Sequence, residues 1–93
     1  MYQKTRIEGA DRGDVMLYAL STCIWCRKTK ELLDSLGVGY SFAYLDQLKG
    51  AQQDEAMDEM AKVNPARSFP TIVINGAIVI RGFDEDRIRG TFS

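Results

Sequence analysis

An apolar run at residues 15–20 (VMLYAL) passes through Ser21-Thr22 into a stretch with helical spacing. A near-continuous apolar run is what a strand covered on both faces requires. After it, Trp25, Thr29, Leu32, Leu33 and Leu36 recur at helical intervals, with Arg27, Lys28, Lys30, Glu31 and Asp34 on the other side. Gly37 suits a helix C-terminus. Residues 40–45 (YSFAYL) are aromatic and read as a second strand. A strand, a helix and a strand in this order form a βαβ unit, with a parallel pair and a right-handed crossover.

The second half continues the pattern. Residues 49–63 read as a helix, with Ala56, Met57, Met60, Ala61 and Val63 inward and Asp54, Glu55, Asp58 and Glu59 outward. Asn64-Pro65 ends it. Residues 70–75 (PTIVIN) form a third strand, Asn75-Gly76 a tight turn, and residues 77–80 an antiparallel fourth strand. Gly82 breaks the chain. Asp84 caps a short last helix from which Ile88 and Phe92 pack. The expected fold class is α/β, in the order β-α-β-α-β-β-α: a four-stranded mixed sheet with helices on both faces. Residues 1–13 lack an apolar period and read as a flexible extension, leaving residues 14–93 as the domain.

Ninety-three residues suit one small domain without a deep cavity. Twelve basic and 13 acidic side chains leave a net charge of −1. No global pull toward nucleic acid or an anionic membrane follows from that balance. No apolar run is long enough to span a bilayer. The N-terminus resembles neither a signal nor a transit peptide, so the cytosol is the expected compartment. The absence of histidine removes imidazole acid–base catalysis, Ser-His triads and His-ligated metals.

The two cysteines, Cys23 and Cys26, lie at the junction of the first strand and first helix. Helix-start N–H groups have no intrahelical acceptor there, and the helix dipole is positive. Both favour a thiolate at Cys23, which makes it the attacking sulfur. Cys26, one turn on, is better shielded and would resolve the mixed disulfide. A zinc site needs four ligands, and the chain has no second cysteine pair and no histidine. The expected activity is dithiol–disulfide exchange with protein disulfides, with no bound metal.

Other residues carry two readings each. Trp25 is a docking surface beside the reactive sulfur or a half-buried helix residue. Arg67 steers an anionic partner or is a plain surface charge. Asp84 caps a helix or touches a ligand. Tyr18, Phe42 and Tyr44 pack in the core or at an edge. Phe69-Pro70 opens the third strand, facing the start of the first helix. Taken alone, an X–Pro bond is cis in only about 5–6% of cases, so these residues favour trans.

Three segments resemble the glutaredoxin family: LYALSTCIWC at residues 17–26, ARSFPTIVING at residues 66–76 and IVIRGFDED at residues 78–86. The resemblance covers residues 14–92 and implies the thioredoxin fold. It makes Pro70 a cis proline and Arg67 the basic residue ahead of it. Gly82 matches the second Gly of a Gly-Gly pair, and Asp84 falls near the acidic residue that holds the γ-glutamyl amine of glutathione. The departures are Ile24 for proline, Trp25 for tyrosine, Leu20 for a glutathione-binding lysine, Phe69 for valine and Arg81 for the first Gly. They place the chain closer to glutaredoxin-like redoxins that function as thioredoxins. That group implies a redox-active Cys23–Cys26 disulfide and a monomer. It also implies disulfide-containing protein substrates such as ribonucleotide reductase, and a thioredoxin-type or ferredoxin-linked reductase as electron donor. Trp25, Arg67, Phe69, Pro70, Gly82 and Asp84 form the expected substrate surface. Two alternatives come from the same family: glutathione-dependent deglutathionylation by Cys23 alone, and a [2Fe–2S] cluster shared between two copies.

Overall fold

The sheet is organised by the strand just before the cysteines. In a computed structural model describing residues 2–92, Val15–Ala19 is buried at every position. Numbered in chain order, the strands are β1 (Thr5–Ile7), β2 (Val15–Ala19), β3 (Tyr40–Tyr44), β4 (Thr71–Ile74) and β5 (Ile78–Arg81). The helices are α1 (Ile24–Ser35), α2 (Ala51–Val63) and α3 (Glu85–Phe92), with a short 3-10 turn at Leu45–Gln47. The sheet order is β1-β3-β2-β4-β5. β2 lies parallel to β3 and antiparallel to β4, and β5 returns antiparallel beside β4.

Strand alternation divides the core between two faces. Val15, Leu17, Ala19, Ile72, Ile74 and Ile80 face one side and meet Cys26, Leu32 and Leu33 of α1 and Ile88 and Phe92 of α3. Met16, Tyr18 and Val73 face the other and meet Ala56 and Met60 of α2, together with Leu45 and Tyr2. Helices therefore cover both faces, as expected. Gly37, at φ 71°, follows the C-cap of α1. The Asn75-Gly76 turn has both residues at positive φ, and the Ala77 N–H donates to the Ile74 carbonyl at 3.0 Å. That geometry matches the right-handed twist of a hairpin.

The expected strand count is corrected from four to five. Thr5–Ile7, placed by the sequence reading in an extension outside the sheet, pairs antiparallel with β3. The Ala10 N–H donates to the Gly37 carbonyl at 2.7 Å, and the Gly39 N–H donates back to Ala10 at 2.9 Å. Tyr2 is buried, its hydroxyl 3.4 Å from that of Tyr18, which donates to Glu59 Oε1 at 3.0 Å. An edge strand held by main-chain pairing needs no apolar period, so the pattern that marks a core strand is absent from it.

Candidate functional site

β2 delivers the chain to the start of α1, and the sulfur chemistry is set in that connection. The Cys23 N–H donates to the Leu20 carbonyl at 3.2 Å, closing the turn. Cys23 is the N-cap of α1, with extended backbone angles, and its Sγ accepts the Cys26 N–H at 3.2 Å. A sulfur thus takes the place usually held by a capping oxygen, in the positive field of the helix N-terminus. Asp46, in the 3-10 turn after β3, steadies the connection. Its Oδ1 accepts the Ser21 N–H at 2.9 Å, and its Oδ2 accepts the Ser21 hydroxyl. These two donors hold the Asp46 carboxyl below the usual carboxylate range.

The two thiols differ sharply in access. Cys23 is partly exposed and Cys26 is buried, and both are unbridged. Burial, followed by the hydrogen bond with Cys23, pushes the Cys26 thiol up to about 12. At neutral pH Cys26 is a protonated, sheltered thiol. Iodoacetamide at pH 7 is therefore expected to add one label per reduced chain, at Cys23. Equal labelling of Cys26 by peptide mass mapping would contradict this geometry.

Cys23 itself lines a cavity of about 370 Å³ with Leu20, Ser21, Arg27 and Tyr44, and a second cleft, of about 220 Å³, is lined by Trp25, Phe69, Pro70, Gly82 and Phe83. Trp25 is 53% exposed, and Ile24 is 58% exposed. The Trp25 ring stacks on Phe83 with centroids 5.9 Å apart, and Lys28 Nζ sits 5.3 Å from its centroid. The Phe69–Pro70 peptide is cis. The Gly82 N–H donates to the Pro70 carbonyl at 2.8 Å, tying the two walls of the cleft together.

The structure gathers Cys23, Cys26, Trp25, Phe69, Pro70 and Gly82 at one end of the sheet. Asp84 serves α3: its Oδ1 accepts the Arg87 N–H at 3.2 Å and its carbonyl accepts the Ile88 N–H at 2.9 Å. Arg67 is exposed in a loop at φ 54°, apart from the cleft lining. Arg81, which stands in place of the first Gly of the family's Gly-Gly pair, donates to the Val63 carbonyl at the end of α2, at 2.7 Å. Phe83, stacked on Trp25, is the bulky group at the cleft. The sequence reading placed it only within the IVIRGFDED segment. It missed Asp46 altogether, since an acidic residue at a strand end signals nothing by itself.

Three comparisons bear on this arrangement. The glutaredoxin family profile matches residues 15–79. An uncharacterized glutaredoxin-like 8.6 kDa protein in the rubredoxin operon of Clostridium pasteurianum is 30% identical over 74 residues, 80% of this chain and 91% of its own. Among solved structures, a glutaredoxin from Methanosarcina mazei Go1 is 46% identical with a TM-score of 0.90, covering 97% of this chain and 87% of the other. Methanosarcina acetivorans methanoredoxin is 41% identical with a TM-score of 0.89, covering 91% and 90%. The thioredoxin fold is shared with these neighbours. The chain belongs to the glutaredoxin family.

Proposed function

We propose that this protein is a dithiol reductase of protein disulfides. Glutaredoxin-family proteins are thiol–disulfide oxidoreductases. The observation that carries the finer reading is the asymmetric pair: an accessible Cys23 sulfur at a helix N-cap, and a buried, protonated Cys26 bonded to it through its N–H. The Cys23 thiolate attacks one sulfur of a substrate disulfide. The substrate bond breaks, its other sulfur leaves and takes a proton, and Cys23 becomes a mixed disulfide. Cys26 then gives up its proton and attacks Cys23 Sγ. The mixed disulfide breaks, the second substrate thiol departs, and a Cys23–Cys26 disulfide remains. The substrate has gained two electrons and two protons, and an external reductant must return them to the chain.

The proposed electron source is a thioredoxin-type or ferredoxin-linked reductase. Leu20 stands where the resemblance calls for a glutathione-binding lysine, and the Trp25–Phe83 stack walls the cleft. The clostridial relative's place in a rubredoxin operon fits an electron carrier. Protein disulfides such as that of ribonucleotide reductase are the proposed substrates, in the cytosol. The test is reduction of a protein disulfide with two sources in parallel: glutathione with its reductase, and a thioredoxin-type or ferredoxin-linked reductase without glutathione. Turnover with the second alone is expected. Turnover mainly with glutathione would overturn the assignment of donor, and turnover with neither would overturn the reductase reading.

A further inference from the structure

Asn64 was read from sequence as the residue that stops a helix. In the structure it is completely buried and does more than that. Its N–H donates to the Met60 carbonyl at 2.8 Å, which fixes its backbone to the last turn of α2. Its side-chain Nδ2 donates to Thr71 Oγ1 at 2.9 Å and to Ser68 Oγ at 3.0 Å, and lies 3.3 Å from the Ser68 carbonyl. The Thr71 hydroxyl donates to that same Ser68 carbonyl at 2.8 Å. Thr71 is also fully buried, and it is anchored in the sheet opposite Tyr18 of β2 and Arg81 of β5.

This network closes the loop of residues 64–71 from the inside, between a helix end and a strand start. Phe69 and Pro70 line the cleft shared with Trp25, Gly82 and Phe83. Among the described residues, the Phe69 N–H and C=O have no main-chain partner. They form an open edge to which an extended segment could add. Asn64 keeps its own Oδ1 unpaired inside the protein. A buried acceptor without a partner is costly. The network persists despite that cost, with Nδ2 committed to the loop.

We propose that Asn64 and Thr71 are positioning residues for substrate: their hydrogen bonds hold the Phe69 main chain in the pose that receives an extended disulfide-bearing segment. They touch neither sulfur. This inference rests on the reductase reading, and it assigns the loop a share of substrate binding separate from the sulfur chemistry.

The experiment uses a disulfide-bridged extended peptide as substrate, with an excess of reductant, and compares the full chain with Thr71→Val and Thr71→Ser. Valine keeps the shape and β-preference of threonine but removes the hydroxyl. For Thr71→Val, KM is expected to rise about tenfold with kcat and the rate of Cys23 alkylation little changed. Thr71→Ser is expected to keep KM within about twofold of the parent, because it keeps Oγ. A Thr71→Val chain with the parent's KM would overturn the inference. So would equal losses in kcat, alkylation rate and melting temperature, which would mark a general structural role. A parent chain that reduces no disulfide at all would instead remove the reductase reading, and the inference with it.

Discussion

A Cys26→Ser chain is expected to attack a protein disulfide once and then stall. Multiple turnover with a non-glutathione reductant should fall by at least about 10²-fold. A covalent adduct should accumulate, visible by mass spectrometry as substrate joined to Cys23 and released by dithiothreitol. Cys23→Ser should show neither turnover nor adduct. In the proposed mechanism the second cysteine waits its turn. Burial raises the Cys26 thiol first, and Cys23 adds to it through its hydrogen bond and its charge. In the proposed mixed disulfide Cys23 bears no charge, so the part of the restraint on Cys26 that a charged Cys23 imposes is lifted. Cys26 becomes a better nucleophile at the step that needs one. Undiminished turnover by Cys26→Ser would remove Cys26 from the mechanism. Survival only with glutathione would point to a one-cysteine route.

The largest expected stability loss lies far from the sulfurs. A Cβ added at Gly9 would meet the Gly37 carbonyl oxygen and the Val38 carbonyl carbon at 2.6 Å, and the Gly39 nitrogen at 2.7 Å. All three are main-chain atoms, so no side chain can swing away. Either the crossing opens or the neighbouring backbone shifts. Gly9→Ala is expected to cost about 2–3 kcal/mol, which for a domain this size lowers the melting temperature by about 10–20 °C. Gly90→Ala is the matched control. Its Cβ would have nothing within 4 Å, and it lies inside α3. It should stabilise by up to about 1 kcal/mol. A Gly9→Ala chain as stable as its parent would mean that the N-terminal segment is not docked on the sheet in solution.

Much of the architecture was readable because each core element carries its own period. β2 is a continuous apolar run, and the Asn75-Gly76 turn has the residue types that positive φ demands. Asp84 does cap α3. The cysteine pair was legible from its place between a strand and a helix. Boundaries moved by a residue or two: α2 begins at Ala51, and Pro70 precedes β4. What was not legible depends on residues far apart in the chain. β1 is specified by a glycine crossing and a tyrosine contact, not by its own three residues. Asn64 and Thr71 are a helix stop and a strand residue until folding brings them to 2.9 Å. Arg81 could be placed near the cleft by alignment of motifs. Which face of the strand its side chain leaves from decides that it reaches α2 instead.

The N-terminal strand also decides which strand forms one edge of the sheet. β3 is YSFAY, short, aromatic and without a charged residue. Without β1 it would be the rim of the sheet, a row of free N–H and C=O groups of the kind that recruits strands from other molecules. β1 occupies that row at three positions and presents Arg6 there, with Lys4 just before it. Cationic side chains on a rim discourage a further strand from adding. A chain trimmed before residue 10 is therefore expected to lose solubility before it loses its sulfur chemistry.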